Sequence, residues 1–219
     1  ASRPQDCPPG SLRFNTDTTK LEYYRGDSIG WVEVEAELTE PLGGGTGSNT
    51  GLGTRMLFMG GTDGSGVIDV IDYITISTLG NAQDFGNLLA GEQEGAFVSN
   101  HLRGLYFGGD PADNDIEFVT FSNLGNATDF GDCTTTAKSG SSCADRNRGV
   151  MILGAGNNVI NYIQFSTTGN AIDFGDTSLV QSAGSGVSSS TRGVFAIGSS
   201  NANYKNILEY ITISTTGDS

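Results

Sequence analysis

Opposite charges recur at one fixed spacing along much of this sequence. An aspartate precedes an arginine by 19 residues in three places: Asp84 and Arg103, Asp129 and Arg148, and Asp173 and Arg192. A constant interval lets corresponding charges meet wherever a structural unit repeats. We predict partly buried ion pairs or charge-assisted hydrogen bonds that hold neighbouring units in register, so that Asp129→Ala and Arg148→Ala both destabilise the fold. Exposed arginines that bind an acidic ligand are the alternative.

Each of these aspartates begins the tripeptide Asp-Phe-Gly, at 84–86, 129–131 and 173–175. In protein kinases this tripeptide supplies a magnesium ligand, together with a glycine-rich phosphate loop, a strand lysine and a His-Arg-Asp segment that this sequence lacks. A catalytic motif rarely occurs three times in one small chain. We therefore interpret Phe85, Phe130 and Phe174 as side chains that fill gaps between units, and the glycines as turn residues.

A second group of carboxylates lies in the segment GDPADNDIE at 109–117, which contains Asp110, Asp113 and Asp115. Clustered oxygens of this kind suit calcium, but the segment lacks the glycine and the final glutamate spacing of an EF-hand. We favour a solvated acidic loop, with a calcium site as the alternative. No other metal site is predicted.

Other reactive side chains are few. His101 is the single histidine, and the cysteines are too few and wrongly spaced for structural zinc. Cys133 and Cys143 lie in one 16-residue link and could face each other across a hairpin, either as a disulfide or as free thiols. A glycan-cleaving enzyme needs two carboxylates about 5 to 10 Å apart across a cleft, whereas the repeated aspartates look structural. We predict that the chain is not an enzyme and takes no cofactor.

The charged residues belong to a sequence repeat. IDYITISTLGNAQDFG at 71–86 returns as IEFVTFSNLGNATDFG at 116–131 and as INYIQFSTTGNAIDFG at 160–175, and a fourth copy begins at Leu208. The copies start 45, 44 and 48 residues apart. A period of this length indicates one supersecondary unit that is stacked or arranged in a ring.

Each copy begins with an eight-residue run that is apolar on both faces of a strand, because positions one and three lie on one face and positions four and six on the other. A strand with one wet face would alternate between apolar and polar residues, so we predict sheets packed between other sheets. The glycine that follows each run predicts a hairpin turn. Segments of varying length should form exposed loops on one side, at 60–70, 108–115, 154–159 and 198–207.

Composition limits the function. The formal net charge is −14, which disfavours binding to nucleic acid or to anionic membrane surfaces. No run of about 18 apolar residues is present, so no membrane insertion is expected. Glycine accounts for 33 of the 219 residues without the three-residue period of collagen, which is typical of many short strands and tight turns.

The N-terminal residues have a different pattern. Residues 10–38 contain three strand-like runs separated by turn formers, which predicts a small β-meander at 1–40. Such a meander is marginal alone and should dock on a partner or on the larger domain. Its last run alternates glutamates at 33, 35 and 37 with apolar residues, which predicts one wet acidic face.

The glycine-rich segment 41–54 is predicted to be a linker or a strand that closes the array by completing its last unit. Residues 55–219 form the repeat domain. The predicted fold is all-β, with a small N-terminal β-meander followed by a β-propeller-like array of about four repeats with a period of 44–48 residues.

Two stretches resemble virion proteins of bacteriophages. GSLRFNTDTTKLEYYRG at 10–26, with GWVEV at 30–34, resembles an N-terminal module common in tail-fibre and other virion proteins. TRGVF at 191–195 and YITISTTG at 210–217 resemble the propeller-like repeats of structural proteins in marine phages, especially cyanophages. Together the two resemblances cover nearly the whole chain, although such arrays usually contain more repeats.

The resemblance implies a non-enzymatic structural protein located on the virion, as a capsid decoration or a tail-attached fibre component. Its expected partners are other capsid or tail proteins and further copies of itself, because phage appendages are usually symmetric oligomers. A host-attachment adhesin that binds surface glycans through the variable loops is the alternative. A glycan-cleaving enzyme is the third class.

Overall fold

In the computed structural model, residues 7–16, 20–33, 55–201 and 203–219 are described. All their regular structure is β-strand, which confirms the predicted all-β class. The chain divides into two compact units, Ala1–Pro41 and Leu42–Ser219. Within the described ranges no helix has the length and apolar character needed to cross a bilayer. The predicted linker or closing strand at 41–54 lies outside the described residues.

In the described residues of the N-terminal unit, three strands form an antiparallel sheet, β1 (Leu12–Asn15), β2 (Lys20–Tyr24) and β3 (Trp31–Glu33). One face of this sheet is apolar and exposed, and the other is polar and buried. Leu12, Phe14 and Leu21 share one face through their register, and this apolar face is exposed. The opposite face buries Glu22, which Arg13 Nε contacts at 2.8 Å.

The predicted wet acidic face of the meander is only partly described. Glu33 pairs with Glu22 across the β2–β3 ladder and therefore lies on the face that holds the Arg13–Glu22 ion pair. Glu35 and Glu37 lie outside the described residues. Among the described part of the meander, the exposed face is the apolar one.

From Arg55 onward, the described residues of the larger unit form four consecutive antiparallel sheets, called the first to fourth repeat sheets. The first consists of β4 (Arg55–Met59), β5 (Val70–Thr75) and β6 (Gln83–Asn87). The second consists of β7 (Ala96–Ser99), β8 (Arg103–Phe107), β9 (Asp113–Thr120) and β10 (Thr128–Ala137). Each is a simple meander whose strands pair in chain order.

The third repeat sheet has the same four-stranded form, with β11 (Ser141–Ala144), β12 (Arg148–Ile152), β13 (Val159–Gln164) and β14 (Ile172–Asp176). The fourth begins with β15 (Ser185–Ser188) and β16 (Arg192–Ala196). A small hairpin follows, formed by β17 (Ser199–Ser200) and β18 (Asn203–Tyr204), and then β19 (Leu208–Thr212) pairs with β16.

The strands that carry the repeated apolar run, β5, β9, β13 and β19, are packed as predicted in the middle of the array. On β9, Ile116 and Val119 point to opposite faces, and both are buried. The end sheets differ, because Ile76 after β5 and Tyr210 on β19 are 64% and 60% exposed. The described sheets therefore follow one another in chain order, and the first and fourth each have one exposed face.

The predicted hairpins join β5 to β6, β9 to β10 and β13 to β14. The glycines at their turns, Gly80, Gly125 and Gly169, have φ values of 154°, 149° and 146°. An L side chain rarely adopts this backbone conformation, which explains why glycine returns at each turn.

Candidate functional site: the junctions between repeat sheets

The repeated arginine begins the strand that pairs with the central apolar strand of each sheet. In every sheet its guanidinium lies over the aromatic ring at the third position of that central strand, a cation–π contact. The distances from Cζ to the ring centroid are 4.9 Å for Arg55 and Tyr73, 4.7 Å for Arg103 and Phe118, 4.3 Å for Arg148 and Tyr162, and 4.8 Å for Arg192 and Tyr210.

The same guanidinium also binds the next sheet. Nη1 of Arg103 donates to the Phe165 carbonyl oxygen at 2.7 Å, and Nη1 of Arg148 donates to the Ile213 carbonyl oxygen at 2.8 Å. Arg55 makes the equivalent bond to the Phe121 carbonyl. One side chain therefore joins two sheets, with its flat face on a ring and its edge on a backbone oxygen.

The predicted ion pairs are wrong. Asp84, Asp129 and Asp173 are exposed, and within the described chain none of them forms a salt bridge with a repeated arginine. A register shift between Asp129 and Gly131 accounts for this, because the bulge turns Phe130 inward and leaves the neighbouring aspartate outside. Arg103 and Arg148 are half-buried against carbonyl oxygens, so they are not open sites for an acidic ligand either.

The phenylalanine of each Asp-Phe-Gly lies between its own sheet and the next. Phe85, Phe130 and Phe174 are nearly fully buried. Each forms an edge-to-face contact with the aromatic residue under the arginine, with ring centroids 6.0 Å apart for Tyr73 and Phe85, 5.8 Å for Phe118 and Phe130, and 6.1 Å for Tyr162 and Phe174.

The glycine of Asp-Phe-Gly lets two backbones touch. At Gly131, where φ is 143°, a Cβ atom would lie 2.5 Å from the carbonyl carbon of Gly169 in the next sheet. The amide of Gly169 in turn donates to the Phe130 carbonyl at 2.7 Å. Gly86 and Gly175 approach Gly125 and Gly217 in the same way. The turn glycine and the Asp-Phe-Gly glycine are therefore the two halves of one repeated contact.

A third junction contact, not predicted from the sequence, comes from the residue at position two of the central strand. Glu117 Oε2 accepts from Leu89 N at 2.8 Å, Asn161 Oδ1 from Thr134 N at 2.8 Å, and Glu209 Oε2 from Ser178 N at 3.1 Å. Each acceptor is buried, and each donor belongs to the preceding sheet or to the segment that leaves it, with Thr134 on β10 and Leu89 and Ser178 just after β6 and β14. The sequence feature that could have predicted this contact is the polar residue at position two in all four copies, Asp72, Glu117, Asn161 and Glu209.

Two carboxyl groups meet at the first junction. Glu92 is 7% exposed and neighbours Asp113, which lies on β9. Burial and the nearby carboxylates of Asp113, Glu117 and Asp115 raise the pKa of Glu92 to about 7, and burial raises the pKa of Asp113. Neither Glu92 Oε2 nor Asp113 Oδ1 has a hydrogen-bond partner among the described atoms. Two neighbouring carboxyls can form a hydrogen bond with each other only when one of them holds a proton.

The three predicted calcium-ligand candidates point to different places. Asp110 Oδ1 lies 2.9 Å from Lys138 Nζ, and Asp110 Oδ2 accepts from Gln93 Nε2 at 3.0 Å. Asp113 faces Glu92, and Asp115 is exposed. In the described part of the chain, no group of three or more histidine, cysteine or acidic side chains could hold a metal ion.

Cys133 and Cys143 are buried free thiols. They belong to different apolar clusters, Cys133 with Phe130 and Cys143 with Phe174, so they do not face each other. Burial raises the pKa of each thiol to about 12, which keeps both protonated at neutral pH. These cysteines therefore act as small apolar core residues.

In each sheet the variable loop joins the strand that begins with the repeated arginine to the central apolar strand. They lie beside the links between sheets, where Ser139 N donates to the Glu94 carbonyl at 2.8 Å and Ala183 N to the Ser139 carbonyl at 2.9 Å. This row of bonds joins successive links, and the neighbouring loops are bonded to those links, as where Asp110 N donates to the Gln93 carbonyl at 2.7 Å and Ala155 N to the Lys138 carbonyl at 2.8 Å. At the opposite end, a groove of about 360 Å³ is bordered by Asn100, His101, Arg146 and Asn147.

No protein-family model matches this chain, and a search of curated proteins finds no relative.

We expect the Glu92–Asp113 pair to make the repeat unit less stable at pH 8 than at pH 5. The folded-state pKa of Glu92 lies above its unfolded value of about 4.5, so its contribution is fully present below about pH 4.5 and is lost as pH rises through about 7. The loss should be on the order of 1 to 3 kcal/mol. Urea unfolding followed by circular dichroism at both pH values measures it.

Glu92→Gln should remove most of this pH dependence and raise stability at pH 8, because an amide can donate to Asp113 without a bound proton. Glu94→Gln removes one exposed negative charge two residues away and serves as the matched control. An equal difference between pH 5 and pH 8 in the parent chain and in Glu92→Gln would show that the pair does not titrate in this range.

Proposed function

We propose that this chain is a non-enzymatic structural protein exposed on a phage particle, as a capsid decoration or a tail-attached component. The observation that carries the proposal is the junction between sheets, built three times from the same arginine, aromatic ring, phenylalanine and glycine turn. The repeated side chains are used to hold neighbouring sheets together. The virion assignment rests on the resemblance of residues 10–34 and of the repeats to phage proteins.

We infer that the repeat sheets form a propeller-like array. Support comes from their form, since the second and third are four-stranded antiparallel meanders. Their first strands β7, β11 and β15 also contact one another in succession. Small-angle scattering from the purified chain tests the arrangement, because a ring-like array and a straight stack of the same sheets differ in radius of gyration.

Chemistry at the paired carboxyls is disfavoured by their geometry. Glu92 is buried and neighbours the half-buried Asp113, whereas carboxyls that cleave a glycosidic bond flank an open cleft that admits the sugar. This supports a structural protein over a glycan-cleaving enzyme.

The N-terminal meander is proposed as the docking module. Leu12 and Phe14 are 66% and 61% exposed on one face of β1, while the polar face of the same sheet is the buried one. An exposed apolar face on a soluble module is typical of a protein interaction site. We expect capsid or tail proteins to cover it.

Binding to particles that lack this chain tests the proposal. The purified chain should bind them and should be labelled by antibody on intact particles in electron micrographs. Phe14→Ser should abolish binding, whereas Leu79→Ser, which changes a fully exposed apolar side chain on the repeat unit, should leave it intact. No labelling of intact particles and no binding by the parent chain would overturn the assignment.

A glycan-binding adhesin is the second candidate function. The arrangement of successive loops side by side supports it, and the loop of the fourth sheet carries its own β17–β18 hairpin. Exposed Tyr204 on that hairpin offers an aromatic surface for a sugar ring. A glycan array probed with the parent chain and with Tyr204→Ala would detect this activity.

A further inference from the structure

The groove of about 360 Å³ lies between the second and third repeat sheets, at the end opposite the variable loops. Two equivalent turns form it, 100–102 before β8 and 145–147 before β12, and Phe165 and Ser166 border it after the end of β13. Small-molecule sites have volumes of about 300 to 1,000 Å³. The groove is therefore large enough for a small ligand.

The first residue of each turn holds the shape of that turn. Asn100 Oδ1 accepts from Arg103 N at 2.9 Å, and Asp145 Oδ1 accepts from Arg148 N at 2.7 Å. Asn100 Nδ2 also donates to the Arg146 carbonyl oxygen at 2.9 Å, which ties the two turns together. The side chains of the next two residues in each turn take no part in these bonds, and they are those of His101, Leu102, Arg146 and Asn147.

These four side chains are not committed to the fold. Within the described ranges, the exposed guanidinium of Arg146 forms no ion pair and no cation–π contact. His101 Nδ1 has no hydrogen-bond partner among the described atoms. Asn147 is exposed, and Leu102 is 56% exposed. The two turns therefore combine a cation, polar groups and an apolar side chain around one groove.

The groove is bordered by positive charge on a chain whose formal net charge is −14. Arg103 contributes its charge rather than a contact, because its bond to the Phe165 carbonyl does not neutralise the guanidinium. Neither Arg103 nor Arg146 has an acidic partner in the described part of the chain. Oδ1 of the adjoining Asp145 is occupied by two backbone amides of its own turn. Two guanidinium groups without an ion pair favour an anionic ligand.

We propose that this groove binds a saccharide that carries an acidic group. The anion of the sugar pairs with Arg146, whose planar guanidinium binds oxyanions through two parallel hydrogen bonds. Ring hydroxyls bond to His101, Asn147 and Ser166, because a hydroxyl both donates and accepts and therefore suits an imidazole, an amide and another hydroxyl. The apolar face of the sugar lies on Leu102. Turns rather than a strand edge border the groove, so it does not suit an extended peptide.

The site goes beyond the virion assignment and does not depend on it. The probes are short oligosaccharides of galacturonic acid and of sulfated galactose, with an uncharged galactose oligosaccharide of the same length as the control. His101 is the single histidine, so its ring resonances in the NMR spectrum of the full chain report directly on the groove. At least one acidic probe should shift these resonances saturably. The uncharged probe should bind about tenfold more weakly or worse, because it lacks the charge-assisted pair.

Arg146→Gln should weaken binding of the acidic probe about tenfold for the same reason. Lys205→Gln removes an exposed positive charge from the loop end of the fourth sheet, and it should change the affinity by less than about twofold, since distant surface charges are screened by salt. Circular dichroism checks that both variants are folded.

The proposal is overturned if neither acidic probe shifts the His101 resonances, if the uncharged probe binds equally well, or if the two variants lose affinity equally. A tetraglutamate peptide that binds as tightly as the acidic sugars would overturn it as well, by showing that the groove recognises charge without the sugar. Tighter binding of the sulfated than of the carboxylated probe, or the reverse, supports the proposal and identifies the acidic group.

Discussion

Gly131→Ala is expected to destabilise the repeat unit by about 3 to 5 kcal/mol. The alanine would occupy a backbone conformation that costs about 1 to 3 kcal/mol for an L residue. Its Cβ would also lie 2.5 Å from the carbonyl carbon of Gly169, which forces the second and third sheets apart. Urea denaturation followed by circular dichroism gives the change in the free energy of unfolding.

Gly169→Ala is the matched control on the other side of the same junction. Gly169 has nearly the same φ, 146°, but a Cβ on it would meet no atom within 4 Å. This substitution should therefore cost only the backbone term, about 1 to 3 kcal/mol. Equal losses for the two variants would mean that the sheets separate easily and that the close approach contributes little to stability.

The sequence predicted the strands because their residue pattern is local. An apolar run on both faces of a strand requires cover on both sides, and β9 and β13 have it. The turn glycines were likewise readable, because few other residues accept their backbone conformation. The exposure of side chains on the end sheets could not be predicted from the sequence, because Leu208 is as apolar as Ile160 and yet is 72% exposed.

The partners of the arginines could not be predicted from spacing. The constant interval of 19 residues reflects a constant fold, and it says nothing about which atoms touch. A bulge at Phe130 turned Asp129 outward, and the acceptor of Arg148 is a backbone carbonyl 65 residues further along the chain. Because every residue has a backbone carbonyl, the residue type does not reveal which carbonyl accepts a hydrogen bond, and a sequence pattern cannot predict it.

The Glu92–Asp113 pair escaped prediction for a different reason. It belongs to one junction only, because the residues that correspond to Glu92 in the next two links are Ala137 and Gln181. A contact that does not repeat cannot be found from the repeat. Burial of a carboxyl is also decided by the neighbouring sheet, which local sequence does not specify.

Arg148→Ala is expected to cost about 2 to 4 kcal/mol in the free energy of unfolding. It removes a cation–π contact and leaves the carbonyl of the fully buried Ile213 without its donor, a loss of about 1 to 3 kcal/mol for the unsatisfied group alone. Arg148→Lys should recover part of this, because an ammonium reaches the carbonyl but lacks the flat face that stacks on Tyr162. Thermal and urea unfolding measure both variants.

Arg192→Ala separates the two contributions of the repeated arginine. Arg192 stacks on Tyr210 at 4.8 Å as Arg148 stacks on Tyr162, but no further repeat sheet in the described chain offers it a carbonyl. Its loss should cost about 0.5 to 1 kcal/mol, the value of an exposed cation–π contact.

Asp129→Ala should change stability by less than about 0.5 kcal/mol, as expected for an exposed side chain. A large loss of stability for Asp129→Ala, coupled to that of Arg148→Ala in a double-mutant cycle, would instead show that Asp129 and Arg148 form an ion pair.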